Sequence, residues 1–220
     1  MWIFPLIATV IGALFAGVSF GFHKRTRNPA FIVWPVSLAL LALGSSCVFL
    51  GSIGGWSGLI AKTYFISESV LPTGFLASGM LYVLLPRKMA HAWLGFMLCV
   101  TSMSIILLAG AGTDASLLNV SGEPGWKAIE LPDALTVVSG ITRTLSILLL
   151  VAGTITGVVY GKLSWSAALV PLGAVITGAS GALVIAGRYE YESIGMATGI
   201  VFIFAGIIGV AQAEGSAGSV

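Results

Sequence analysis

The feature that most constrains this chain is the recurrence of apolar stretches of about twenty residues, each closed by a polar or turn-rich segment. They fall near 2–22, 30–50, 59–85, 92–110, 134–160, 166–187 and 191–212. Each matches the roughly 30 Å hydrocarbon core at 1.5 Å per residue, so the expected fold is all-α: a polytopic bundle of seven transmembrane helices. Only 8% of the 220 residues are charged and 57% are hydrophobic, whereas soluble domains carry roughly 25% charge. The helices use up residues 1–212 as a single domain, and 213–220 is expected to be a short flexible tail. The first apolar run lacks a basic leader and is followed by His23-Lys24-Arg25-Thr26-Arg27, the reverse of a cleaved signal peptide, so it is expected to stay as the first helix.

Charge sets the expected orientation. Lys24, Arg25, Arg27, Arg87, Lys88 and Lys162 follow the first, third and fifth helices. The opposite loops hold only Lys127 and Arg188, together with Asp114, Glu123, Glu130, Asp133, Glu190 and Glu192. The positive-inside rule then puts the N-terminus outside and the C-terminus in the cytoplasm. The tryptophans are expected at headgroup level, with Trp2, Trp56 and Trp126 at outer edges and Trp34, Trp93 and Trp165 at inner helix starts.

Small residues at four-residue spacing mark expected helix contacts: Gly153 and Gly157, then Ala174, Gly178, Ala182 and Ala186, then Gly195 and Gly199. They fit packing within the bundle, with homodimerisation as the other reading. Cys47 and Cys99 lie in apolar runs without metal or disulfide spacing and read as small buried hydrophobes. The long segment 111–133 mixes Gly and Pro with Leu117, Leu118, Val120, Trp126 and Ile129, which suggests a lid or interfacial segment on the outer surface. It also carries a glycosylation triplet, Asn119-Val120-Ser121.

An internal repeat is visible. Gly17-Val18-Ser19-Phe20-Gly21 parallels Gly157-Val158-Val159-Tyr160-Gly161, and Trp34-Pro35 parallels Val170-Pro171. Glu68-Ser69 and Thr73-Gly74 parallel Glu192-Ser193 and Thr198-Gly199 with one residue inserted. Two parallel triplets joined by a single helix would result, a construction several membrane folds use. In that 3+1+3 layout the chain resembles the seven-helix group of microbial opsins, sugar-exporting SWEET proteins and receptor-type sensors. It departs from opsins because the seventh helix has no lysine for a retinal Schiff base, and from SWEET proteins because the Pro-Gln pair is missing. Leu81-Tyr82-Val83-Leu84-Leu85-Pro86-Arg87 is similar to a segment of small prokaryotic seven-helix proteins, and the expected location is a prokaryotic plasma membrane.

Charges inside a membrane span cost roughly 2.5–3.5 kcal/mol on insertion scales, so each needs a reason. Glu68 and Arg143 stand at matched positions of the third and fifth helices. Counted from the cytoplasmic ends they lie roughly 27 Å and 28 Å up, in the outer leaflet. They are expected to pair or to share one polar cluster, and with Lys62, Glu190 and Glu192 to form an outward-facing polar mouth. Pro72 cannot donate to the carbonyl four residues earlier, so a kink is expected at Glu68.

Enzyme motifs fail. Gly178-Ala179-Ser180-Gly181 matches a rhomboid-type motif, but His23 and His91, the only histidines, lie at the opposite edge from Ser180 and cannot serve as its base. The same two histidines cannot clamp a haem mid-membrane or form a metal site, so no cofactor is expected. The net charge of +2 is too small to suggest nucleic acid. What remains is a non-enzymatic, receptor-like or accessory membrane subunit working through a protein partner or as a homo-oligomer, with a small ligand entering from the outer face. The alternative is a small-solute or ion transporter.

Overall fold

The computed structural model describes residues 3–118, 125–185 and 191–217. Trp2, the Asn119 triplet, Glu123, Ala186, Arg188 and Glu190 lie outside them, as does the side chain of Ala182. The protein is all-α and 87% helical. Its helices are α1 (Ile3–Thr26), α2 (Ala30–Gly54), α3 (Gly58–Tyr64), α4 (Pro72–Leu84), α5 (Arg87–Gly110), α6 (Asp133–Val159), α7 (Leu169–Ile185) and α8 (Glu192–Ala217). A π-helical turn, Phe65–Val70, joins α3 to α4. Short 3-10 turns lie at Gly125–Ala128 and Trp165–Ala168. Among the described residues five helices, α1, α2, α5, α6 and α8, are long and apolar enough to cross a membrane. The third apolar stretch is instead divided at the π turn, and α7 is 17 residues long.

The core is apolar, yet large apolar side chains also cover the outside and small hydroxyls are buried with the core. Large apolar groups such as Leu14, Ile106, Leu148 and Val159 point outward, while Ser19, Ser37, Ser45, Ser67, Ser78, Ser104, Ser146 and Thr154 are buried between helices. Small hydroxyls suit such contacts because each can bond back to its own helix, as Ser78 does to Gly74 O at 2.8 Å and Ser146 to Thr142 O at 2.6 Å. α1 packs on α2 and α8, α7 packs on α8, and α4 fills the centre between α2 and α6. Phe15 and Phe204 stack at 3.8 Å across the α1–α8 contact.

Two expectations need correction. Trp34 stands near the start of α2 as expected, but its ring faces the bundle and not the surface: it is 0% exposed, and its Nε1 donates to Leu76 O at 3.1 Å. An indole whose one donor finds a helix carbonyl can be buried whole, and the bare backbone of Gly79 makes the room. Cys47 is buried as expected, but Cys99 is exposed on α5, on the rim of an apolar crevice of about 330 Å³ between α5 and α6.

The α2–α4 and α7–α8 hairpins pack in the same register. Trp34 meets Gly79, Ser37 Oγ donates to Pro72 O, and Gly44 faces Glu68. In the second hairpin Val170 meets Gly206, Gly173 faces Gly199 O, and Ser180 meets Gly195. One constant shift carries Trp34, Ser37 and Gly44 onto Val170, Gly173 and Ser180. Another carries Gly79, Pro72 and Glu68 onto Gly206, Gly199 and Gly195. The packing therefore sets Glu68 against Gly195, about one turn beyond the Glu192 that the sequence alignment selects. Residues three apart share a helix face, so the slip leaves the same face inward.

Candidate functional site

The chain places its acidic residues where helices end or break. Ser57 opens α3 by accepting from Ile60 N at 3.3 Å. Two turns later the helix widens into the π turn that holds Glu68. Pro72 then starts α4, where its missing N–H is no loss because first-turn donors have no partner within the helix. The expected interruption at Pro72 thus takes the form of a π turn followed by a fresh helix start. Inserted π turns displace side chains from the regular face and recur at functional sites.

Across the bundle, Glu192 opens α8 and is buried. The buried Tyr64 hydroxyl donates to Glu192 Oε1. Glu68 lies within reach of both that hydroxyl and the Glu192 carboxyl. Its own Oε2 is buried without a hydrogen-bond partner and rests against Gly44 of α2, where an added Cβ would come within 3.4 Å of it. Two carboxyls and one phenol therefore meet where α2, the α3–α4 break and α8 converge.

The other expected site residues stand around this cluster. Arg143 donates from Nη2 to Gly178 O at 3.3 Å, which fixes its guanidinium on α7. Glu68 feels its charge across the gap, but no direct ion pair joins them among the described residues. Lys62 turns away to the segment that follows α5, its Nζ donating to Ala111 O at 2.6 Å. Ser180 donates to Thr177 O at 2.7 Å, the back-bonding of a helical serine, and its Cβ side packs on Gly195.

An aromatic cover lies over the cluster. Trp56 meets Tyr64 edge-on at 5.8 Å and fits between Gly51 and Gly125, where an added Cβ would come within 2.6 Å and 2.4 Å of the indole. Gly125 belongs to the segment expected as a lid. That segment is tied by an antiparallel bridge between Thr113 and Ile129, with Asp114 N donating to Ala128 O at 2.8 Å. The Asp114 carboxyl is held below the usual range by the Ser116 hydroxyl at 2.6 Å and the Ser116 N–H at 2.9 Å. Tyr64 and Trp56 are the members that sequence reading missed as site residues. Tyr64 falls one turn before Glu68, a spacing that puts a donor on the same helical side, and that was the available signal.

Chemically, two carboxyls facing one another in a water-poor site require a counter-charge. The side chains that converge, Glu68, Glu192 and Tyr64, offer hard oxygen donors, and among the described residues no three of His, Cys, Asp or Glu group as metal ligands. Such a set suits a proton or a hard cation rather than a soft transition metal. No family model, curated protein or solved structure gives a significant match to the chain.

Proposed function

We propose that the protein is an integral membrane protein of seven spans, N-terminus outside and C-terminus in the cytoplasm, that works as a small-solute or ion transporter. Its cluster of Glu68, Glu192 and Tyr64 exchanges a proton or small cation with the outer face. In this reading α3, the π turn and α4 form one span, and α7 forms another. The orientation rests on the six basic residues that gather at one set of helix ends, and the plasma membrane is the proposed location.

One observation carries the transport reading: Glu68 and Glu192, far apart in sequence and on different halves of the bundle, converge on a helix break. Transporters built from repeats place coupling-ion sites at the interface between repeats, on discontinuous helices. A cation held between the halves binds them together, and its release unlocks them. Differential binding of that kind is what shifts a conformational equilibrium.

The test is flux by the chain alone. Proteoliposomes holding only this protein and an entrapped pH dye are given proton, Na⁺ or K⁺ gradients. Flux is expected in one of these, lost in Glu192→Gln while the variant still elutes as folded protein. Silence under every gradient would return the site to a receptor-like or accessory subunit, in which the cluster binds a ligand and a partner carries the response.

A further inference from the structure

Between the C-terminal halves of α4 and α6 runs a crevice of about 260 Å³, walled by Leu84 and Leu85 on one side and Leu149 and Gly153 on the other, with Tyr160 and Lys162 at its end. From Leu149 to Tyr160 it follows roughly 16 Å of helix, about half of a 30 Å hydrocarbon core and hence the depth of one leaflet. Its upper wall is apolar and its end is cationic. The glycines keep α4 and α6 close, with Gly157 against Leu84 and Leu163, and neither fills the slot with a side chain of its own. Lys162 is exposed, and none of the described carboxylates pairs with it. Arg87 and Lys88 come two and three residues after Leu85, at the start of α5, so further basic residues stand close in sequence to the wall that Leu85 forms.

We propose that this crevice binds one anionic phospholipid, its acyl chain along the Leu84–Leu149 walls and its phosphate at Lys162. The charge pattern selects this occupant: a partner helix would need no cation at the rim, and a zwitterionic lipid brings the same phosphate but adds a cation beside Lys162, with no carboxylate lining the crevice to receive it. Basic openings between membrane helices bind anionic headgroups in this way. The site is independent of the transport reading, and only its assignment to the inner leaflet rests on the proposed orientation.

The experiment is native mass spectrometry of purified protein titrated with phosphatidylglycerol or phosphatidylcholine. Phosphatidylglycerol is expected to be retained about fivefold better, the scale of one lysine at an anionic surface. Lys162→Glu is expected to remove the preference. Ala152→Trp, an exposed position that fills the slot, is expected to reduce retention of both lipids. Equal retention by the wild type, or a preference that survives both folded variants, would overturn the site. Because Lys162 lies in an exposed turn, Lys162→Gln serves as the second charge variant should Lys162→Glu fold poorly.

Discussion

The two hairpins, α2–α4 and α7–α8, share one packing register and use it in opposite ways. In α7–α8 the backbones touch: Cβ atoms built on Gly173 and Gly199 would come within 2.5 Å and 2.7 Å of each other's carbonyl oxygens. In α2–α4 the same positions are held apart by side chains, with Trp34 against Gly79 and Ser37 reaching Pro72 O at 2.8 Å. The tight hairpin is joined through small residues, as lipid-solvated helices commonly are. The looser one has the width to hold Glu68 against Gly44. The α7–α8 hairpin is thus closed by backbone contact, while the α2–α4 pair is spaced by side chains that leave room for Glu68.

Substitutions test that contrast. The largest effect is expected from Trp34→Ala, which leaves a cavity and frees the Leu76 carbonyl. About 3–5 kcal/mol of stability should be lost in detergent melts, while the equivalent Val170→Ala costs less than half as much. If the two cost the same, side-chain spacing does not distinguish the hairpins. Next comes Gly199→Ala, whose Cβ meets backbone and should cost about 3 kcal/mol. Gly44→Ala meets Glu68 and Ser67 side chains at 3.3 Å, and there the better helix propensity of alanine offsets the crowding to within about 1 kcal/mol.

Within the looser hairpin, Tyr64→Phe removes the donor to a buried carboxyl and should cost about 2 kcal/mol. A double-mutant cycle between Glu68→Gln and Glu192→Gln is expected to show coupling above about 0.5 kcal/mol. The cycle between Glu68→Gln and Arg143→Gln should show less, because no direct ion pair links them. A reversed order would move the partnership of Glu68 from α8 to α6. The smallest effect belongs to the opening of each hairpin. Asn28 Oδ1 accepts from Ala30 N at 2.9 Å and Nδ2 donates to Glu214 at 2.7 Å, so Asn28→Ala should cost about 1 kcal/mol. Ser164, its counterpart, bonds to the Ser166 hydroxyl instead of a backbone donor, and Ser164→Ala should cost less.

Much of the architecture was legible because hydropathy reports what the solvent demands of each stretch. The apolar runs and their ends were visible, Glu68 and Arg143 could be singled out by the cost of a charge inside a span, Pro72 by its missing N–H, and Glu192 only as one acid of an outward-facing polar mouth. Side-chain destinations were not visible. Matched depth suggested that Arg143 pairs with Glu68 or shares one polar cluster with it; the guanidinium bonds to the Gly178 carbonyl instead of the carboxylate, while its charge still reaches Glu68. The π turn was hidden too, since a one-residue widening leaves composition unchanged. Trp34 kept its expected helix start but turned inward, because an amphipathic ring satisfied by a helix carbonyl does not need the surface.

The most direct measurement is infrared difference spectroscopy of purified protein while the outer-facing medium is exchanged between protons, Na⁺ and K⁺, comparing the wild type with Glu68→Gln and Glu192→Gln. If the two carboxyls form one exchangeable site, a carboxyl band responds to one of these cations and disappears in both variants. A response that survives either single substitution, or no carboxyl response in the wild type, would contradict a shared site between the two halves.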